Sequence, residues 1–69
     1  MNLNPLHMAR RRAGLTAYQL AKQAGTREPR IYAFERERYR PTFTEAERIS
    51  AALNDDPARL FPDGFQSEV

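Results

Sequence analysis

A chain of 69 residues, 41% hydrophobic and free of Cys and Trp, can bury only about 60% of the surface its unfolded form exposes, so one thin core is the ceiling and a second domain is excluded. With no Cys and His7 as its single imidazole, a disulfide scaffold, a structural zinc and a Cys or His nucleophile lack their parts, and no cofactor or metal is expected. The net charge of +2 hides a split: residues 1–40 hold nine basic groups against three acidic ones, for +6, and residues 41–69 hold two against six, for −4. A basic half joined to an acidic half points to a polyanionic partner met by one face. No long apolar run suits a membrane span or a secretory signal, so a soluble, cytoplasmic protein without membrane contact is expected.

Asn4 followed by Pro5 marks a helix start, since an Asx side chain caps free amides and Pro has no N–H to lose in the first turn. Leu6, Ala9 and Ala13 line one stripe, and Gly14 with Leu15 stops the helix, which runs over about residues 5–13. Thr16 and Gln19 form a capping box for a second helix with Leu20, Ala21 and Ala24 on its apolar side and Gly25 as its stop. The third segment carries Ile31, Phe34 and Glu35 on one side and runs into a basic stretch, Arg36 to Arg40, ended by Pro41. Its start is poorly marked, because Arg27 and Glu28 are weak caps, although Pro29 fits a first helical turn. Thr44 and Glu47 read as a second capping box, opening a fourth helix with Ala46, Ile49, Ala52 and Leu53 inward and Asn54 as its stop. Asp56 and Pro57 open a short last helix that ends in Leu60 and Phe61. No period of two persists long enough for a strand, so the expected fold is all-α: a compact five-helix bundle over residues 5–61, with an arm at 1–4 and a tail at 62–69.

The turn between the second and third helices carries the functional signal. Two helices joined so closely cross steeply and need a small residue at the contact, which Ala21 provides. Gly25 turns the chain at positive φ, and Ile31 with Phe34 anchors the next helix in the core. A small residue, Gly four later and a β-branched residue six after that is the helix-turn-helix spacing. With Ala13-Gly14-Leu15-Thr16, Gln19-Leu20-Ala21, Gly25, Ile31, Glu35, Pro41, and Ile49 through Ala52-Leu53 to Leu60-Phe61, the chain resembles the helix-turn-helix family of lambdoid phage repressors and Cro proteins, over about residues 6–61.

That resemblance implies a sequence-specific, repressor-like reader of double-stranded DNA whose third helix enters the major groove, acting as a weak two-fold homodimer. It also implies a partly buried ion pair between Arg10 and Glu35. Helical geometry turns Glu28, Pro29, Tyr32, Ala33 and Arg36 outward when Ile31, Phe34 and Glu35 face in, and Arg27 and Arg30 flank that face. Arg27, Glu28, Pro29, Tyr32, Ala33 and Arg36 are the base-reading candidates: a carboxylate accepts from cytosine, a methyl meets thymine and an arginine reaches guanine. Thr16, Arg30, Arg38, Tyr39 and Arg40 are the phosphate-binding candidates.

The chain departs from the family pattern at several positions. Ala17 replaces a phosphate-gripping Gln, Arg27 a Ser or Thr cap, Pro29 and Ala33 polar readers, and Glu37 the Gly that closes the third helix. A Glu held left-handed costs on the order of 1 kcal/mol, so the helix is expected to run on a little. Met8 is expected in packing, and Glu45 and Glu47 as first-turn acids favoured by the helix dipole. His7 reads as a surface or satisfied histidine. Phe65 either tucks back or meets a partner, and a protein partner is expected at the acidic half through Phe61 and Phe65. Two other classes fit the same residues: a protein-interaction or antitoxin-type module of this fold, which suits Pro29, Ala33 and the exposed tyrosines, and a nucleic-acid binder with little sequence choice. An enzyme lacks convergent acid, base or metal ligands.

Overall fold

Asn4 caps the first helix with its side-chain oxygen, which accepts from the His7 amide at 2.9 Å, and Pro5 follows in the first turn. The computed structural model describes residues 4–67 and holds α1 (Pro5–Arg12), α2 (Ala17–Ala24), α3 (Glu28–Glu35), α4 (Phe43–Ala52) and α5 (Pro57–Leu60). Among these residues there is no strand beyond an isolated parallel bridge between Thr42 and Gln66. Residues 1–3 of the expected arm and 68–69 of the expected tail lie outside the described residues.

Four helices end in the same way. Past each lies a residue with left-handed backbone, Gly14, Gly25, Glu37 and Asn54. The next amide donates back to a carbonyl five residues earlier: Leu15 to Arg10, Thr26 to Ala21, Arg38 to Ala33 and Asp55 to Ser50, at 2.9 to 3.2 Å. This closure satisfies carbonyls that a helix end leaves without partners. At Gly25, with φ of +71°, it costs no steric strain.

Glu37 corrects the expectation that α3 runs on. The helix stops at Glu35, and Glu37 takes φ of +58°. The bond from the Arg38 amide to Ala33 outweighs the clash of a left-handed Cβ. Glu37→Gly is therefore expected to stabilise the protein by about 1 kcal/mol, a rise of roughly 4 to 8 °C in melting temperature for a domain of this size. Thermal unfolding checks this against Glu47→Gly inside α4, which is expected to destabilise by about 1 kcal/mol.

A second correction concerns α4. It opens at Thr42, not Thr44, and its capping box pairs Thr42 with Glu45. Both threonines precede a Glu by three residues, so the motif fits either register. Pro41 is fully buried, and Glu45 is also held by Arg30 from α3, which favours the earlier start.

Leu6, Leu20, Ile31, Ile49 and Leu60, one from each helix, are fully buried and meet in one core with Phe34 and Phe61. Each such side chain contributes about 1.5 to 3 kcal/mol on burial. Ala21 and Ala46 are buried as well, and these small side chains let α2 lie close against α3 and α4. Two expected packing positions face solvent instead: Ala13 is exposed at the end of α1, and Met8 is 40% exposed. The inward stripe of α1 is Leu6, Ala9 and Arg10. Phe61 is buried against Phe34, their ring centroids 6.2 Å apart, so it is core and not a partner contact. Phe65 tucks back, edge-on to Phe43 at 5.2 Å and Phe61 at 6.4 Å.

Candidate nucleic-acid interface

Arg27 caps α3 without a side-chain hydrogen bond, and Pro29 lies in the first turn. This start turns Arg27, Pro29, Tyr32 and Arg36 to solvent, with Glu28 half-buried. Ala33 departs from expectation, because it is buried. It forms the floor of a shallow depression of about 380 Å³ whose other lining residues are Glu28, Pro29, Tyr32, Arg36 and Arg38. The smallest side chain of this set is surrounded by larger ones, which an angular count along one helix does not register. Arg36 lies over the Tyr32 ring, 5.8 Å from its centroid, a cation–π contact that orients the guanidinium across the face. The rim thus carries a carboxylate, a phenol and two guanidinium groups around an apolar floor.

The expected phosphate ligands separate into two groups. Arg38, Tyr39 and Arg40 are exposed on the loop between α3 and α4, with Tyr39 edge-on to Phe34 at 5.7 Å and Arg40 donating to the Asp63 carbonyl at 3.2 Å. Thr16 caps α2, its hydroxyl accepting from the Gln19 amide at 3.0 Å. Its own amide donates to the Gln19 side chain at 2.9 Å. The following amides, of Ala17 and Tyr18, have no acceptor within the helix, which is the usual basis of anion affinity at such an end. Arg30 falls outside this group. Its Nε and Nη2 donate to the two carboxylate oxygens of Glu45 at 2.7 and 2.8 Å. Burial works against the Glu45 carboxylate, but the hydrogen bonds from Arg30 and Thr42 outweigh it and hold its pKa below the ordinary value.

Sequence reasoning missed Tyr18, which is 55% exposed in the first turn of α2 with Lys22 over its ring. The spacing of four residues was the available signal. It also missed the reach of Asn4, whose Nδ2 donates to the Phe34 carbonyl at 3.0 Å and so ties the start of α1 to the end of α3.

Behind the exposed face, Arg10 and Glu35 are brought together across α1 and α3. Nε donates to Oε2 at 2.5 Å and Nη2 to Oε1 at 3.1 Å, and Nη1 donates to the Leu15 carbonyl at 3.0 Å. His7 joins them, its Nδ1 lying 2.9 Å from Glu35 Oε1. A carboxylate only accepts, so Nδ1 carries the hydrogen and the imidazole donates. Burial pushes the Glu35 pKa upward, but the hydrogen bonds of Arg10 and His7 prevail and hold it below the ordinary value. The Arg10 pKa is raised, first by its hydrogen bond to Glu35 and against the effect of burial. The arrangement fixes the rotation of α3 about its own axis, and with it the residues that face outward.

No helix among the described residues is long and apolar enough to cross a membrane, and no group of His, Asp or Glu among them could hold a metal ion. Residues 6–59 match a family model described as helix-turn-helix. No curated protein matches the chain by sequence.

Proposed function

Because the chain belongs to the family of lambda repressor- and Cro-like helix-turn-helix proteins, we propose that it is a DNA-binding, repressor-like transcription regulator that reads a duplex with α3 in the major groove. The observation that carries this reading is the continuity of one exposed surface: Pro29 and Tyr32 on α3 and Arg36 at its C-terminal cap run directly into Arg38, Tyr39 and Arg40 on the following loop. Base-edge contacts fall to Arg36, Tyr32, Glu28 and Arg27, with Pro29 and the Ala33 methyl supplying apolar contact. Phosphate contacts fall to Arg38, Tyr39, Arg40 and the start of α2 at Thr16. A second copy on a two-fold site meets this one through the half-exposed Phe43, which Phe65 backs from within the chain; such an interface is small and the dimer weak.

One observation favours a second reading. The floor of the depression, Ala33 beside Pro29, offers no hydrogen-bonding group to a base edge, and a hollow of that kind also suits an apolar side chain of a protein partner. Selection from a random duplex library at physiological salt separates the readings. Enrichment of a two-fold symmetric sequence is expected. Salt-sensitive binding without enrichment would leave a nucleic-acid binder with little base choice, and no binding even at low salt would leave the protein-interaction module.

A further inference from the structure

Arg30 sits in the first turn of α3, and its guanidinium lies over the rings of Phe34 and Tyr39, 5.3 and 5.4 Å from their centroids. The stacking places its charge beside the exposed loop of Arg38, Tyr39 and Arg40. There Glu45 takes both prongs of the fork at 2.7 and 2.8 Å, while the same carboxylate accepts from the Thr42 amide at 3.1 Å. The two side chains are 38% and 21% exposed. An ion pair so open to solvent adds on the order of 0 to 1 kcal/mol to stability, and Thr42 and a neutral Gln would cap α4 equally well. The electrostatic effect is larger. A two-pronged carboxylate fills the geometry with which arginine grips a phosphate, and the pair presents no net charge to a polyanion.

We propose that Glu45 limits the strength of backbone binding by withholding Arg30 from DNA phosphate. This rests on the DNA-binding reading given above. One cation among the basic residues facing the duplex is then held in reserve, and loss of the Glu45 charge releases it.

The test is binding of the full chain to a double-stranded oligonucleotide of random sequence across a range of NaCl concentrations. Glu45→Gln is expected to steepen the log-log salt slope by about 0.9 and to tighten binding roughly 5-fold at 0.15 M salt, the value of one added phosphate contact. Glu47→Gln, on the same helix and exposed, removes the same charge and is expected to leave the slope unchanged. Arg30→Gln alone is also expected to keep the wild-type slope, and combined with Glu45→Gln to cancel the gain. Thermal melting of each variant in the binding buffer confirms that folded protein is compared. A Glu45→Gln slope equal to that of the wild type, or an Arg30→Gln slope already shallower than it, overturns the role of Glu45 and leaves DNA binding standing. Wild-type protein that fails to bind the duplex at low salt overturns both.

Discussion

Glu35→Gln is expected to lower the unfolding free energy by about 3 kcal/mol, near the lower end of what breaking a buried ion pair costs. A chain of this length holds only about 3.5 to 10 kcal/mol in all. The side chains of Arg10 and Glu35 are 11% and 7% exposed, so Gln leaves a guanidinium away from water facing neutral acceptors alone, one amide oxygen in place of two carboxylate oxygens and the Leu15 carbonyl, and it takes the carboxylate from His7 Nδ1. His7 is itself a quarter exposed, so water relieves part of the loss, which argues for the lower end of the range. Urea unfolding at pH 7 measures it, with the exposed Glu37→Gln as the comparison; equal midpoint shifts for the two would refute the assignment. The sign of the pH dependence follows. The folded pKa of Glu35 is depressed, so its contribution is complete above the unfolded value of about 4.3 and disappears as pH falls through the folded value. Wild-type stability thus declines on acidification below about pH 5, and Glu35→Gln makes that decline shallower without abolishing it, because Glu45 and Asp55 are also depressed.

Replacing Arg38 and Arg40 together by Gln is expected to weaken DNA binding roughly 30-fold at 0.15 M salt and to make the salt slope shallower by about 1.8, as two lost phosphate contacts require. The loss should be the same on a selected sequence and on a random one, since phosphate contacts carry no sequence information. Arg36→Ala is the contrasting variant: on the selected site it should cost about 1 to 3 kcal/mol and relax the preference at one base pair. Titrations on both duplexes at several salt concentrations distinguish the two patterns. An Arg38/Arg40 variant that lost affinity on the selected site alone would exchange the roles given to the loop and the helix.

Features closed within a few residues were legible in the sequence. The Thr16 and Gln19 box, the stops at Gly14 and Gly25, and the inward run of Leu20, Ala21 and Ile31 all depend on near neighbours and stand as expected. What could not be read depended on distant partners. His7 gains its carboxylate from 28 residues away, and Arg30 its own from 15. The choice between Thr42 and Thr44 turns on a glutamate already claimed by α3, and the left-handed Glu37 on a bond that competes with its intrinsic preference. In the candidate site, the outward set of α3 was legible from its period except at Ala33, where the size of the surrounding side chains, not the angle, decides exposure.

The four left-handed closures have a kinetic consequence. Each helix from α1 to α4 carries its own stop, built from bonds that span five residues, so much of the topology is specified without first closing a long loop. Chains dominated by local contacts of this kind fold in microseconds to milliseconds. The bonds from Asn4, His7 and Arg10 to α3 span 25 to 30 residues and carry the larger closure entropy. The bundle's local architecture and the alignment of α3 are therefore set by contacts of different range, and an exchange that loosens the second need not slow the assembly of the first.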